Sequence, residues 1–160
     1  MANIFYDDRG DFQYLKKKLI AVIGYGNQGR AHALNLRDSG FEVIVGAREN
    51  GKSFDQSQKD QFPTIPIKEA ASQADLLVIT LPDELIPEIY IKSIKSVVKQ
   101  NCSFLFAHGF AVHYKTIEFP ENCDVILVAP TGPGKQLRSL YLEGKGLPAL
   151  IAIDKDVSGE

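Results

Sequence analysis

Six short apolar runs, at residues 19–23, 43–45, 76–80, 103–107, 125–129 and 149–153, constrain the fold of this chain more than any other feature. Each is too short for a helix to bury by itself. Each is also nearly continuous, without the in-and-out alternation of a strand that has one wet face. A strand of this kind is stable only where both faces are covered, which is the situation in a parallel sheet flanked by helices.

The segments between the runs supply those helices. Residues 28–39 are the clearest case, with Gly29, Ala33, Leu36 and Gly40 at spacings of four, three and four along one stripe. Gly40 stands where a helix end favours a left-handed residue. Residues 69–74, 83–99 and 134–143 are further helical candidates, the second beginning near Pro82 and Asp83 with Pro87 in its first turn. The polar stretch 49–66 reads as a partly irregular connection that orders around a ligand. Strand and helix alternate throughout, so the expectation is a doubly wound, mostly parallel α/β sheet with helices on both faces. Residues 1–153 read as one domain and the polar residues 154–160 as the start of a linker.

Gly24, Tyr25, Gly26, Asn27, Gln28 and Gly29 form G-x-G-x-x-G directly between the first run and the best helix. That position is what the motif's mechanism requires. The first glycine makes a tight turn, the second lets a diphosphate approach the backbone, and the third lets the helix lie close on the strand, while the helix N-terminus faces the anion. Together with the alternating pattern this points to a Rossmann-type NAD(P)-binding domain.

The end of the second run suggests which dinucleotide. NAD-binding domains place an acid there for the ribose hydroxyls. Here the run ends Val45, Gly46, Ala47, Arg48, and Lys52 and Ser53 follow in the loop, a cationic and hydroxyl set suited to the 2′-phosphate of NADP. The alternative leaves Arg48 and Lys52 as solvated loop charges and Glu49 as the ribose ligand.

Ligands of such sheets lie beyond the carboxyl ends of the strands. Three more loops qualify: Leu81, Pro82, Asp83 and Glu84; then His108, Gly109 and Phe110; then residues 130–135. His108 directly follows a run and suits proton transfer or a hydrogen bond to a substrate oxygen, although a lone loop histidine is often structural. His32 reads as packed within its helix and His113 as a surface residue.

The composition removes other classes. A formal charge of −2 offers no basic excess for nucleic acid. The apolar runs fall far below the roughly 20 residues of a membrane span. Residues 1–11 carry acids and lack the pattern of a leader, and a cytoplasmic location is expected. Cys102 and Cys123 show neither metal-ligand spacing nor disulfide density, and read as reduced core or near-surface residues.

Segments 20–36 (IAVIGYGNQGRAHALNL), 43–48 (VIVGAR), 81–84 (LPDE), 106–110 (FAHGF), 128–134 (VAPTGPG) and 147–153 (LPALIAI) resemble, in order, the N-terminal NADP-binding half of ketol-acid reductoisomerase. The resemblance implies an enzyme of branched-chain amino-acid (isoleucine and valine) biosynthesis. Such an enzyme isomerises a 2-acetolactate-type acetohydroxy acid with the help of Mg and reduces the product with NADPH. It further implies cofactor contacts from Tyr25 to Gln28, Arg48, Ser53, Asp83 to Ile86 (including Glu84 and Leu85) and Gly134, with His108 as the active-site histidine, beside the candidates Gly24, Gly29, Lys52, Leu81 and Pro82 read from motif and loop position.

Two departures stand out. The family reads Ala-Pro-Lys-x-Pro-Gly-His where this chain has Thr131 in place of the lysine and Lys135 in place of the histidine; Arg30, where histidine is common, is milder. The Mg-holding acids of the family belong to a helical C-terminal domain that residues 1–160 do not contain. The resemblance therefore implies a chain that binds NADPH, holds no metal by itself and catalyses little. A stand-alone NADP-binding or regulatory paralogue is the alternative, and the oligomeric state stays open.

Overall fold

The computed structural model describes residues 3–6 and 10–159, so part of the acidic start, and Glu160 at the end of the expected linker, lie outside the described residues. Seven strands form one sheet in the order β3-β2-β1-β4-β5-β6-β7: β1 (Ile20–Ile23), β2 (Val43–Ala47), β3 (Thr64–Pro66), β4 (Leu76–Ile79), β5 (Ser103–Phe106), β6 (Asp124–Pro130) and β7 (Ala149–Lys155). All neighbours are parallel except β6 and β7, which run antiparallel.

The continuous apolar runs have the expected cause. Successive side chains of a strand face opposite sides. Ile20 and Val22 of β1, with Val43, Val45 and Val78, enter one core layer with Ala33 of α1 (Asn27–Asp38). Ala21 and Ile23, with Leu77, Ile79, Phe104 and Phe106, enter the layer on the other face. That layer holds Ala70 and Ala71 of α3 (Ile67–Gln73), Ile86 of α4 (Ile86–Ile89) and Ala111 of α5 (Phe110–His113). Cys102 and Cys123 are both buried, and burial raises the pKa of each thiol.

Three sequence expectations change. The polar stretch 49–66 is ordered by the fold itself: it holds α2 (Lys52–Lys59) and β3. Its apolar signal is weak because α2 carries Phe54 as its one apolar residue and buries Ser57; the Ser57 hydroxyl bonds the Phe54 carbonyl oxygen and the Thr64 hydroxyl. Residues 83–99 are not one α-helix. They pass from a 3₁₀ turn (Asp83–Leu85) through α4 to a π-turn (Tyr90–Ile94), closed by the bond from the Lys95 N–H to the Tyr90 carbonyl at 2.8 Å.

The last run, finally, is not a buried strand. Leu150, Ile151 and Ile153 are between 59% and 67% exposed, and β7 continues to Lys155, two residues into the expected linker. An apolar run shows that a face needs cover but cannot show what covers it. Among the described residues no helix is long and apolar enough to cross a membrane.

Candidate dinucleotide-binding site

The glycine turn leaves the end of β1 at Gly24, whose φ of +91° places it in the left-handed region that glycine tolerates at no steric cost. Its N–H extends the sheet ladder to the Gly46 carbonyl at 3.0 Å. Thr80, the residue after β4, holds the turn from the other side, its hydroxyl lying 3.1 and 3.0 Å from the carbonyl oxygens of Ile23 and Gly24. At Gly29 a Cβ would collide with the Gly24 carbonyl oxygen and come within 2.5 Å of the Thr80 hydroxyl. At Gly26, the N-cap of α1, a Cβ would meet nothing within 4 Å. Gly26 thus borders open space beside the first-turn N–H groups of α1, which have no partners within the helix. A diphosphate placed there would meet those donors and the positive end of the helix.

A second helix frames the same spot. The first residue of α6 (Gly134–Leu142) sits so close to α1 that a Cβ on Gly134 would collide with the Asn27 carbonyl group. Gln28 spans the junction by donating from Nε2 to the Gly132 carbonyl at 3.0 Å, while its Oε1 is buried without a hydrogen-bond partner. Lower down, Arg138 of α6 binds Asn35 Oδ1 at 2.9 Å and Asp38 Oδ2 at 2.5 Å. Gly134 is therefore required by packing, and Gln28 ties α1 to the loop that leads into α6 as well as bordering the turn.

Beyond β2, Arg48, Glu49 and Lys52 are exposed, and α2 begins at Lys52 with Gly51 as its N-cap and no capping side chain. A Cβ on Gly51 would lie 3.9 Å from Arg48 Nε, so the guanidinium lies beside the N-terminus of α2. Ser53 occupies its first turn. A cation and a helix N-terminus converge here on one exposed spot.

Tyr25 and Ile86 do not offer side chains. Tyr25 is 4% exposed, its ring packs edge-on to Phe62, and its hydroxyl donates to Asp60 Oδ2 at 2.9 Å. Ile86 lies in the core. Only the backbone of these two could touch a ligand. Arg30 joins the Tyr25 group by gripping Asp60 with Nε at 2.6 Å and Nη2 at 3.0 Å.

The Arg30 hydrogen bond holds the Asp60 carboxyl down at about 2 against the opposing effect of burial, and burial with the Asp60 contact raises the Tyr25 phenol. A carboxylate depressed in the folded state adds stability above its unfolded pKa of about 3.9, and that stability disappears as pH falls towards 2. Asp60→Asn should therefore lower the urea midpoint at pH 7 and flatten the acid limb between about pH 4 and 2. An unchanged acid limb would show that the ion pair contributes nothing.

β4 and β5 end level, Ile79 opposite Phe106, so their following loops emerge side by side. Leu81 packs its methyl 3.0 Å from where a Cβ on Gly24 would be, while Pro82, Glu84 and Leu85 are exposed. Across the gap His108 Nδ1 lies 2.8 Å from Asp83 Oδ2. Thr131, at the end of β6, donates its hydroxyl to the Pro148 carbonyl at 2.8 Å, and Lys135 is exposed. Of the other histidines, His32 has a buried Nε2 without a partner and its pKa is lowered by burial, and His113 is exposed. Sequence reading missed Thr80, whose only signal was its place as the last residue of an apolar run, and Asp60, whose partners lie 35 and 30 residues away. Among the described residues no group of three or more metal-ligating side chains converges.

Known proteins match this geometry. The family model described as acetohydroxy acid isomeroreductase, NADPH-binding domain, matches residues 14–160. A ketol-acid reductoisomerase (NADP(+)) of Methanopyrus kandleri is 48% identical over all of the chain and 49% of its own length. An NADH-preferring ketol-acid reductoisomerase from an uncultured archean superposes with a TM-score of 0.95 at 42% identity, over 99% of this chain and 50% of that one. The 3-hydroxyisobutyrate dehydrogenase of Mycobacterium tuberculosis, at 16% identity and a TM-score of 0.66 over 88% of this chain and 47% of its own, shares the fold alone. The chain spans about half the length of the reductoisomerases it matches.

Proposed function

Because the chain belongs to the acetohydroxy acid isomeroreductase family, matching its nucleotide-binding half, we propose that it binds NADPH at the glycine turn and forms the reducing half of a ketol-acid reductoisomerase. The open space beside Gly26, at the unpartnered N-terminus of α1 and framed by α6, carries this reading. The free N–H donors and the positive end of the helix suit the charge of a diphosphate.

The two reductoisomerases differ in the dinucleotide their names give, so likeness alone leaves the choice open. Arg48 beside the bare N-terminus of α2 supports NADPH, whose 2′-phosphate would meet a guanidinium and helix N–H groups together. When bound, the nicotinamide supplies a hydride to a substrate carbonyl. The chain's own part is to hold the diphosphate at Gly26 to Gly29 and the 2′-phosphate at Arg48 and Ser53. In the isomerisation that precedes hydride transfer, His108 at the strand ends would accept the proton of the substrate hydroxyl and return it to the neighbouring oxygen as the alkyl group migrates. The hydride step would take its proton from solvent. The carboxylates that would hold the Mg of the reaction lie outside the described residues, among which no such group converges.

NADPH at a hundredfold excess over Kd should stabilise the chain by about 2.7 kcal/mol, a rise in Tm of roughly 5–11 °C, with a smaller rise for NADH. Equal and negligible rises would remove the reading. With acetolactate and Mg supplied, the 160 residues should consume no NADPH, and turnover would show that the chain is catalytically sufficient. The Thr131 hydroxyl, spent on Pro148 where the family has a lysine, favours a second reading as an NADP-binding paralogue without reductoisomerase activity.

A further inference from the structure

We propose that the Asp83 carboxylate is a positioning group for His108, fixing its imidazole in the Nδ1–H form so that Nε2 is left as a bare acceptor at the exposed strand ends. The resemblance assigns Asp83 to the cofactor, whereas its side chain turns to the neighbouring loop. The two residues lie on adjacent parallel strands that end level, and Nδ1 stands 2.8 Å from Oδ2. Asp83 is the better fixed of the two. It follows Pro82, opens a 3₁₀ turn closed by the Leu85 N–H bond to the Pro82 carbonyl at 2.9 Å, and its side chain is 30% exposed. The His108 side chain is 72% exposed, so the carboxylate is the anchor and the imidazole the part held.

A carboxylate has only acceptor sites at neutral pH, so the nitrogen it contacts must carry the proton. Neutral imidazole has one proton to place, and Nε2 is then left with its lone pair. In the reaction proposed above, on which this inference rests, Nε2 takes the proton of a substrate hydroxyl, and the resulting imidazolium keeps its Nδ1–H on Asp83. The carboxylate opposes the new positive charge at contact distance. With the opposite tautomer, Nε2 would be a donor and could take no proton.

Two-bond ¹⁵N–¹H correlation spectra of the imidazoles report which nitrogen is protonated, and they are read on the 160-residue chain at about pH 9, where an ordinary histidine is neutral. The wild type should show His108 mainly as Nδ1–H. Asp83→Ala and Asp83→Asn should each lower the Nδ1–H to Nε2–H ratio about threefold to tenfold, because the carboxamide lacks the charge and can itself donate to Nδ1. The exposed His113 serves as the internal reference. A ratio unchanged in Asp83→Asn overturns the proposal even if the alanine variant fails to fold. Calorimetry with NADPH on the same samples separates the two ideas. Absent heat with the ratio as expected removes the cofactor reading, and normal heat with an unchanged ratio removes only the role of Asp83.

Discussion

Gly29→Ala is expected to lower the melting temperature by about 6–12 °C, the equivalent of about 3 kcal/mol in a domain of this size. The added methyl would be driven into the Gly24 carbonyl and the Thr80 hydroxyl, which are bonded to each other and to the ends of β1 and β4. Neither can yield easily, since one is backbone and the other is short, half-buried and hydrogen-bonded to the turn. Overpacking against rigid neighbours lies at the costly end of its range.

Gly26→Ala should behave in the opposite way. A Cβ there meets nothing, so Tm should stay within about 2 °C of wild type. The methyl would instead stand where the diphosphate has to approach. Losing one or two hydrogen bonds to a charged group, each about 1.5–3 kcal/mol, predicts NADPH binding weaker by about tenfold to a hundredfold or more. Thermal unfolding and calorimetry on the two variants separate the structural glycine from the ligand-facing one. If Gly26→Ala bound NADPH normally, the diphosphate could not lie at this turn.

The second large effect concerns the choice of dinucleotide. Arg48→Ala should weaken NADPH by about tenfold to a hundredfold, the worth of charge-assisted hydrogen bonds to a phosphate, and should change NADH by less than about threefold. The asymmetry is the informative part, because NADH has no 2′-phosphate for the guanidinium to meet. Raised salt should weaken NADPH more than NADH for the same reason. Equal losses for both dinucleotides would place Arg48 on the diphosphate or in the fold, and would leave Glu49 as the residue facing the ribose.

Strand register and burial explain which features were legible in the sequence. The G-x-G-x-x-G turn is legible because its geometry is local: Gly29 lies five positions after Gly24, and the clash that forbids a side chain at Gly29 comes largely from Gly24 itself. The fold class was legible because the runs that form β1, β2, β4 and β5 bury both faces, which leaves them apolar nearly throughout, with Ser103 the polar exception. The α2–β3 segment was less so, because its apolar anchors are few, Phe54 and Phe62, and the rest of its order comes from a serine–threonine hydrogen bond and three residues added to the sheet edge, neither of which leaves an apolar period.

The sequence by itself determined the strand–turn–helix unit and hence the class of ligand, because those interactions close within a few residues and depend on residue type alone. Only the tertiary structure decided that Tyr25 faces Asp60 and not the ligand, that Gly134 serves the docking of α6 on α1, and that Asp83 meets His108. Those partners lie between 25 and 107 residues apart and are joined by strand order and register. No pattern in a single chain records which loops will emerge side by side.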